Sequence, residues 1–167
     1  FPFAPSERMA QDYSAAERDE IYEELWQLGG FRILLCSFAE LTIDEFTNET
    51  VAEFIRKKIR EMVDDPKVAE QLLPYDHPYG TKRPPIDTDY YKTFNRDNVT
   101  LVDVRQAPIA EITPSGLQTE DQPYDLDIIV FATGFDAMTG TLLNMGITGT
   151  DGRKLEEAWE GGPRTYL

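Results

Sequence analysis

The run Leu126-Asp127-Ile128-Ile129-Val130-Phe131-Ala132 constrains this chain more than any other segment. It is apolar except for one Asp, and Thr133-Gly134 close it, so it reads as a strand buried on both faces, as in a parallel sheet. Such a strand needs neighbours that the rest of the 167 residues barely supplies. Val99-Thr100-Leu101-Val102-Asp103-Val104 reads as another strand. Ile109–Ile112 and Leu117–Thr119, around the turn Thr113-Pro114-Ser115-Gly116, read as a hairpin. No glycine-rich phosphate loop follows any of them. The expected fold class is therefore α/β and incomplete: a helical N-terminal segment followed by part of a sheet, cut from a larger α/β protein. The chain begins at Phe1 rather than Met, so a native N-terminus is expected to be missing.

The first half carries the helical signals. After a proline-broken stretch expected to be extended, Ser14-Ala15-Ala16-Glu17 forms a capping box, in which the Ser hydroxyl and the Glu17 carboxylate each satisfy the other's backbone amide. A helix should run to about Leu28, with Ile21, Leu25 and Leu28 on one face, and Gly29-Gly30 should stop it. Residues 31–46 suggest short helical pieces. Thr47 or Asn48 should cap a second helix, whose apolar face is Val51, Phe54, Ile55, Ile59, Met62 and Val63. Arg56, Lys57 and Arg60 are expected on its solvated face. Asp65-Pro66 starts a third helix over 66–73. A short helix is expected at 88–94, and the chain beyond Gly140 should be loop-like.

Charge and cysteine content narrow the function. The net charge is −15, with 8 basic and 16 acidic residues before Pro74 and 8 and 15 after it, so the acidity is spread evenly. That balance argues against binding nucleic acid or an anionic membrane surface. No apolar stretch approaches the roughly 20 residues of a membrane span, and no secretory signal is visible. The single cysteine, Cys36, fits a reducing, cytoplasmic setting and reads as a structural thiol within an apolar run. Trp159, Tyr90 and Tyr91 read as packing groups, His77 as a loop residue. The carboxylates show no metal-ligand spacing.

Against this acidic background Lys82-Arg83, in Gly80-Thr81-Lys82-Arg83-Pro84-Pro85, suggests a bound anion such as a phosphate. Taken alone, the doublet reads more simply as an exposed pair answering Asp87 or Asp89. The Ala132-Thr133-Gly134 turn sits where ligands meet open α/β sheets, beyond the carboxyl end of a strand, and glycine there permits close backbone approach. A turn that merely ends a strand gives the same residues, so both readings stand.

A larger set of residues carries a resemblance. Thr81-Lys82-Arg83-Pro84, Asp89-Tyr90-Tyr91, Phe94 through Val99, Leu101-Val102-Asp103, Ala107-Pro108-Ile109, Ile112-Thr113, Ala132 through Ala137 and Gly162 through Leu167 occur in an order and spacing that resemble the flavin-dependent Baeyer–Villiger monooxygenases, with the phenylacetone and cyclohexanone branch nearest. Family members have an FAD domain and an NADP domain, each with a Gly-x-Gly-x-x-Gly loop, and a Phe-Gly-His-Trp-Pro motif between the loops. None of these occurs here. The resemblance thus implies a C-terminal-half portion of such an enzyme, with part of a nucleotide-binding, Rossmann-like sheet. Residues 1–75 would be the helical insertion of the NADP domain, 76–134 that domain's terminal strands, and 135–167 the linker returning toward the FAD domain.

The resemblance also implies chemistry. NADPH reduces FAD, O2 adds to form a C4a-peroxide, and a ketone becomes an ester or lactone. Arg83 matches the family's active-site arginine, a permanent charge that would stabilise the peroxide. Lys82 matches the position near the NADPH 2′-phosphate. Lys82, Arg83, Thr133 and Gly134 are the expected cofactor-binding residues. Oxygenation of nitrogen or sulfur is the alternative reaction. The 167-residue chain by itself is expected to be a non-catalytic folded module that binds neither cofactor, and its uncovered strand is expected to drive self-association.

Overall fold

The computed structural model describes residues 6–134, 136 and 138–164. Phe135, Ala137 and Thr165–Leu167, which share in the family resemblance, lie outside the described residues, as do residues 1–5. The chain divides into two compact units, residues 1–108 and 109–167.

The first unit is helical. Helix α1 spans Ala15–Leu28 and opens with the expected capping box: the Ser14 hydroxyl accepts from the Glu17 amide at 3.3 Å, and the Glu17 carboxylate accepts from the Ser14 amide at 2.8 Å. Gly29, at φ 70°, ends it by donating to the carbonyls of Leu25 and Trp26. Helix α2 spans Arg32–Cys36. Helix α3 spans Glu45–Met62 and is capped by Asp44, whose carboxylate accepts from the Thr47 amide at 2.8 Å. The helix thus begins upstream of the expected Thr47 or Asn48 cap. Asp44 is the stronger cap because its charge also faces the positive end of the helix. Helix α4 spans Pro66–Leu72 with Asp65 as its cap, and helix α5 spans Tyr90–Thr93.

Two apolar clusters hold these helices. Tyr22, Leu25, Ile33, Phe38, Leu41, Val51 and Phe54 join α1, α2 and α3. The Tyr22 ring is fully buried between Phe38 and Phe54, and its hydroxyl meets Thr50 Oγ1 at 2.8 Å, so burial leaves no polar atom unanswered. Tyr22 and Leu25 form the buried stripe of α1, while Leu28 lies 57% exposed at the helix end. Ile59, Val63, Ala69 and Leu73 form the second cluster, with Tyr91 and Phe94 packed against it. Each Leu, Ile, Val or Phe among them contributes about 1.5–3 kcal/mol when fully buried. Cys36 is a free thiol, partly buried against the first cluster.

Arg56 departs from expectation. It is 4% exposed rather than solvated. Its guanidinium pairs with Glu49 and, at 2.9 Å, with Glu53, and it lies 4.9 Å from the Tyr75 ring centroid. Planar and fork-shaped, the guanidinium lies on the ring while its edge meets both carboxylates, which suits arginine to so closely covered a position.

The second unit contains a three-stranded antiparallel sheet in the order β1-β2-β3, with β1 at Ile109–Thr113, β2 at Gly116–Thr119 and β3 at Pro123–Asp125. The expected hairpin is β1-β2, with Thr113 opposite Gly116 and Ile112 opposite Leu117. Gly116 is required by close approach, because a Cβ there would overlap the Tyr124 carbonyl on β3. Helices α6, Gly140–Asn144, and α7, Leu155–Ala158, interrupt the stretch expected to be loop. The chain is therefore a mixed one, helices first and a small sheet after, in the expected order.

Two expected strands do not form. Residues 99–104 enter no ladder. Neither do residues 126–132, where Ile128, Val130 and Phe131 are 79%, 80% and 70% exposed. Apolar, β-branched composition favours an extended backbone, but a strand exists only as a ladder of paired hydrogen bonds, and although the Leu126 amide donates to the Ser115 carbonyl at 2.8 Å, no ladder follows from it.

Candidate functional site

The chemistry-bearing doublet sits on the loop between α4 and α5. Pro74, Pro78, Pro84 and Pro85 keep this loop out of helix. Asn48, on the first turn of α3, anchors it: its amide nitrogen donates to the Tyr79 carbonyl at 2.9 Å and the Leu41 carbonyl at 3.0 Å, and its oxygen accepts from the Tyr79 amide at 2.9 Å. Tyr79 packs against the first core cluster, and burial pushes its hydroxyl up to about 12. Gly80 follows at φ 85°, where a Cβ would come within 2.8 Å of Leu34 Cδ1. Thr81 then folds back, its amide and hydroxyl both donating to the Pro78 carbonyl at 3.3 and 2.8 Å.

Lys82 and Arg83 leave this anchored base in different company. Lys82 Nζ is 3.3 Å from Asp76 Oδ2, with its side chain 64% exposed. The same carboxylate meets His77 Nδ1 at 2.7 Å and Arg105 at 3.6 Å. The His77 bond first, then the Lys82 bond, holds the Asp76 carboxyl down to about 2. The sequence pointed to Asp87 or Asp89 as counterion, because these are near in the chain. In the fold, Asp87 caps the backbone amide of Tyr90 and Asp89 pairs with Lys92. Arg83 lies over the Phe31 ring, 5.3 Å from its centroid, at the start of α2. That contact braces the guanidinium yet leaves its N–H edge able to donate.

Thr133 and Gly134 belong to the second unit. Both are exposed and in no strand. Gly134 has φ 76°, and a Cβ there would meet nothing within 4 Å. The sequence offers Asn48 only as one of two candidate helix caps, and Phe31 and Asp76 carry no local motif that points to the site. Among the described residues no three His, Cys, Asp or Glu side chains gather as a metal-binding group, and no helix is long and apolar enough to cross a membrane.

The arrangement suits an anionic partner approaching from solvent. Two cations project from one braced loop in a chain of net charge −15. One is a point charge suited to a phosphate, the other a planar fork suited to a carboxylate or a phosphate. The chain contains no glycine-rich loop to cradle a pyrophosphate, so these residues fit only the charged ends of a dinucleotide cofactor.

No family model matches the chain. It is 51% identical over 167 residues to the 2-oxo-Delta(3)-4,5,5-trimethylcyclopentenylacetyl-CoA monooxygenase of Pseudomonas putida, covering 100% of this chain and 31% of that protein. It is 42% identical over 169 residues to a Baeyer-Villiger monooxygenase of Pseudooceanicola batsensis, again covering 100% and 31%. Its fold matches the crystal structure of OTEMO in complex with FAD and NADP with a TM-score of 0.92 at 51% identity, over 100% of this chain and 31% of that one. The chain spans about a third of the length of these relatives, and in sequence and fold it belongs to the Baeyer–Villiger monooxygenase family.

Proposed function

We propose that these residues supply the Lys82–Arg83 loop of an NADPH- and FAD-dependent monooxygenase that inserts one oxygen atom of O2 into a ketone, giving an ester or lactone. The observation that carries this reading is the loop itself, with two cations of different geometry held on one rigid base. FAD, when bound, activates O2 with reducing equivalents from NADPH. Arg83 would hold a positive charge beside the reacting centre, where a guanidinium can stabilise an anion as it forms. Lys82 would hold the 2′-phosphate of NADPH in place of Asp76. The exchange is easy because the Lys82–Asp76 pair is exposed and therefore weak. Thr133 and Gly134 offer an open backbone for a cofactor to approach. Residues 1–75 act as the helical insertion of the NADP domain, 76–134 as its terminal segment, and 135–167 as the linker toward the FAD domain.

The experiment is NADPH oxidation and product analysis in the natural protein that carries this sequence, with a cyclic ketone and a thioether offered together. Lactone formation that falls by about 10²-fold or more in Arg83→Ala is expected, the usual cost of removing one charge-stabilising donor. Exclusive sulfoxide formation, or unchanged lactone formation in Arg83→Ala, would overturn the reading. The 167-residue chain by itself is expected to turn over no NADPH, because it lacks both phosphate loops.

A further inference from the structure

The helical unit touches the doublet's loop at a few specific points. We infer that α1–α3 serve as a mount for the Lys82–Arg83 loop and that Asn48 is the positioning residue, setting how strongly the site prefers a 2′-phosphorylated nucleotide. The inference rests on the reading of Lys82 as the phosphate ligand.

The geometry is specific to an asparagine. Its amide answers both backbone groups of Tyr79 at once, giving to the carbonyl and taking from the N–H at 2.9 Å each, and gives its second hydrogen to the Leu41 carbonyl at 3.0 Å. Two carbonyls and one N–H fix which end of the amide is nitrogen. Three hydrogen bonds from one partly buried side chain therefore join the Leu41 turn and the loop to the first turn of α3. Lys82 lies three residues past Tyr79 and Arg83 four. Between them and the anchor stand Gly80, pressed against Leu34, and Thr81, folded back on Pro78. Phe31 braces Arg83 from the start of α2. No freely rotating stretch separates the anchor from the cations.

An anchored point charge discriminates a phosphate from a hydroxyl better than a mobile one, since less ordering is needed when the ligand arrives. Loosening the mount should therefore weaken NADP+ binding and leave NAD+ nearly untouched.

Asn48→Asp isolates the effect. It keeps the volume but sets a carboxylate against the Leu41 and Tyr79 carbonyls, and their repulsion drives the side chain off the Tyr79 amide as well. At the first turn of α3 a negative charge does not weaken the helix. In the 167-residue chain, hydrogen exchange at the Tyr79 and Thr81 amides is expected to rise about tenfold, roughly what loss of a net 1 kcal/mol anchor gives, with Leu25 and Ile59 within twofold of the unsubstituted chain. In the natural protein carrying this sequence, the ratio of NAD+ to NADP+ dissociation constants should fall several-fold, and Asn48→Asp should cause no fall of its own in a Lys82→Ala background. Unchanged exchange at Tyr79 and Thr81, or a rise shared equally by Leu25 and Ile59, would overturn the mount. An unchanged affinity ratio in Asn48→Asp, where Lys82→Ala does lower it, would overturn the positioning role. A ratio indifferent to Lys82→Ala would overturn the phosphate reading of Lys82 and with it the specificity role, while the exchange result still decides the mount.

Discussion

Asp76 shows how single residues share charge in this chain. Its carboxylate bonds His77 Nδ1 at 2.7 Å and Lys82 Nζ at 3.3 Å, and it titrates near 2. A depressed carboxylate stabilises the fold above its ordinary titration range, and the contribution is lost as pH falls from that range toward 2. Carboxyl-carbon NMR titration should find the Asp76 midpoint near that value. His77→Ala should raise it more than Lys82→Ala, because the His77 bond is the larger cause. The reverse order would show that Lys82 is the principal counterion and is less free to meet a phosphate. The doublet itself was legible in the sequence, but its surroundings were not. Neither Phe31, more than fifty positions away, nor Asn48 has a local pattern that ties it to Lys82-Arg83. Only the folding of α2 and α3 brings them to the loop.

At the scale of elements, local chemistry was readable where a signal and its target are neighbours. Ser14 and Glu17, Gly29, and Asp65-Pro66 each begin or end a helix where their hydrogen bonds and φ preferences dictate. Ser14→Ala should cost about 1 kcal/mol, measured by denaturant unfolding followed by helical circular dichroism. The polar face of α3 was misread because helical periodicity cannot tell a solvated arginine from one covered by another segment. Arg56 is covered by the Pro74-Tyr75 segment, with its Nη1 reaching toward the Pro74 carbonyl at 3.5 Å. Arg56→Met should lower stability by about 2 kcal/mol, the scale of charge-assisted hydrogen bonds. The loss stays below that of breaking a fully buried pair, because Glu49 and Glu53 are more than half exposed and rehydrate. In a domain of this size it corresponds to a fall in Tm of roughly 10 °C. Arg56→Lys should recover less than half, since an ammonium can pair with the carboxylates but has no planar face to lie on Tyr75.

At the scale of the whole molecule, the two units differ in what they bury. The helical unit closes two apolar clusters. In the second unit, among the described residues, only Gly116 and Thr119 are buried. The apolar composition at 99–104 and 126–132 was legible, but the strands expected there do not form, because a sheet is a non-local object and one segment's composition cannot supply its neighbours. The physical demand remains: Ile128 and Val130 alternate with Ile129, and Phe131 follows, so an extended backbone here presents apolar side chains on both faces. Exposed apolar surface and unpaired strand backbone together favour pairing with another chain. The 167-residue chain should therefore sediment well above its monomer mass of 19.1 kDa at tens of micromolar. Ile128→Lys with Val130→Lys should return it to monomer without loss of helical signal, since neither residue belongs to either apolar cluster of the helical unit. If the unsubstituted chain is monomeric, the segment does not associate. If the double variant still associates, the contact is made by another surface, and the exposed run at 126–132 is not the adhesive element.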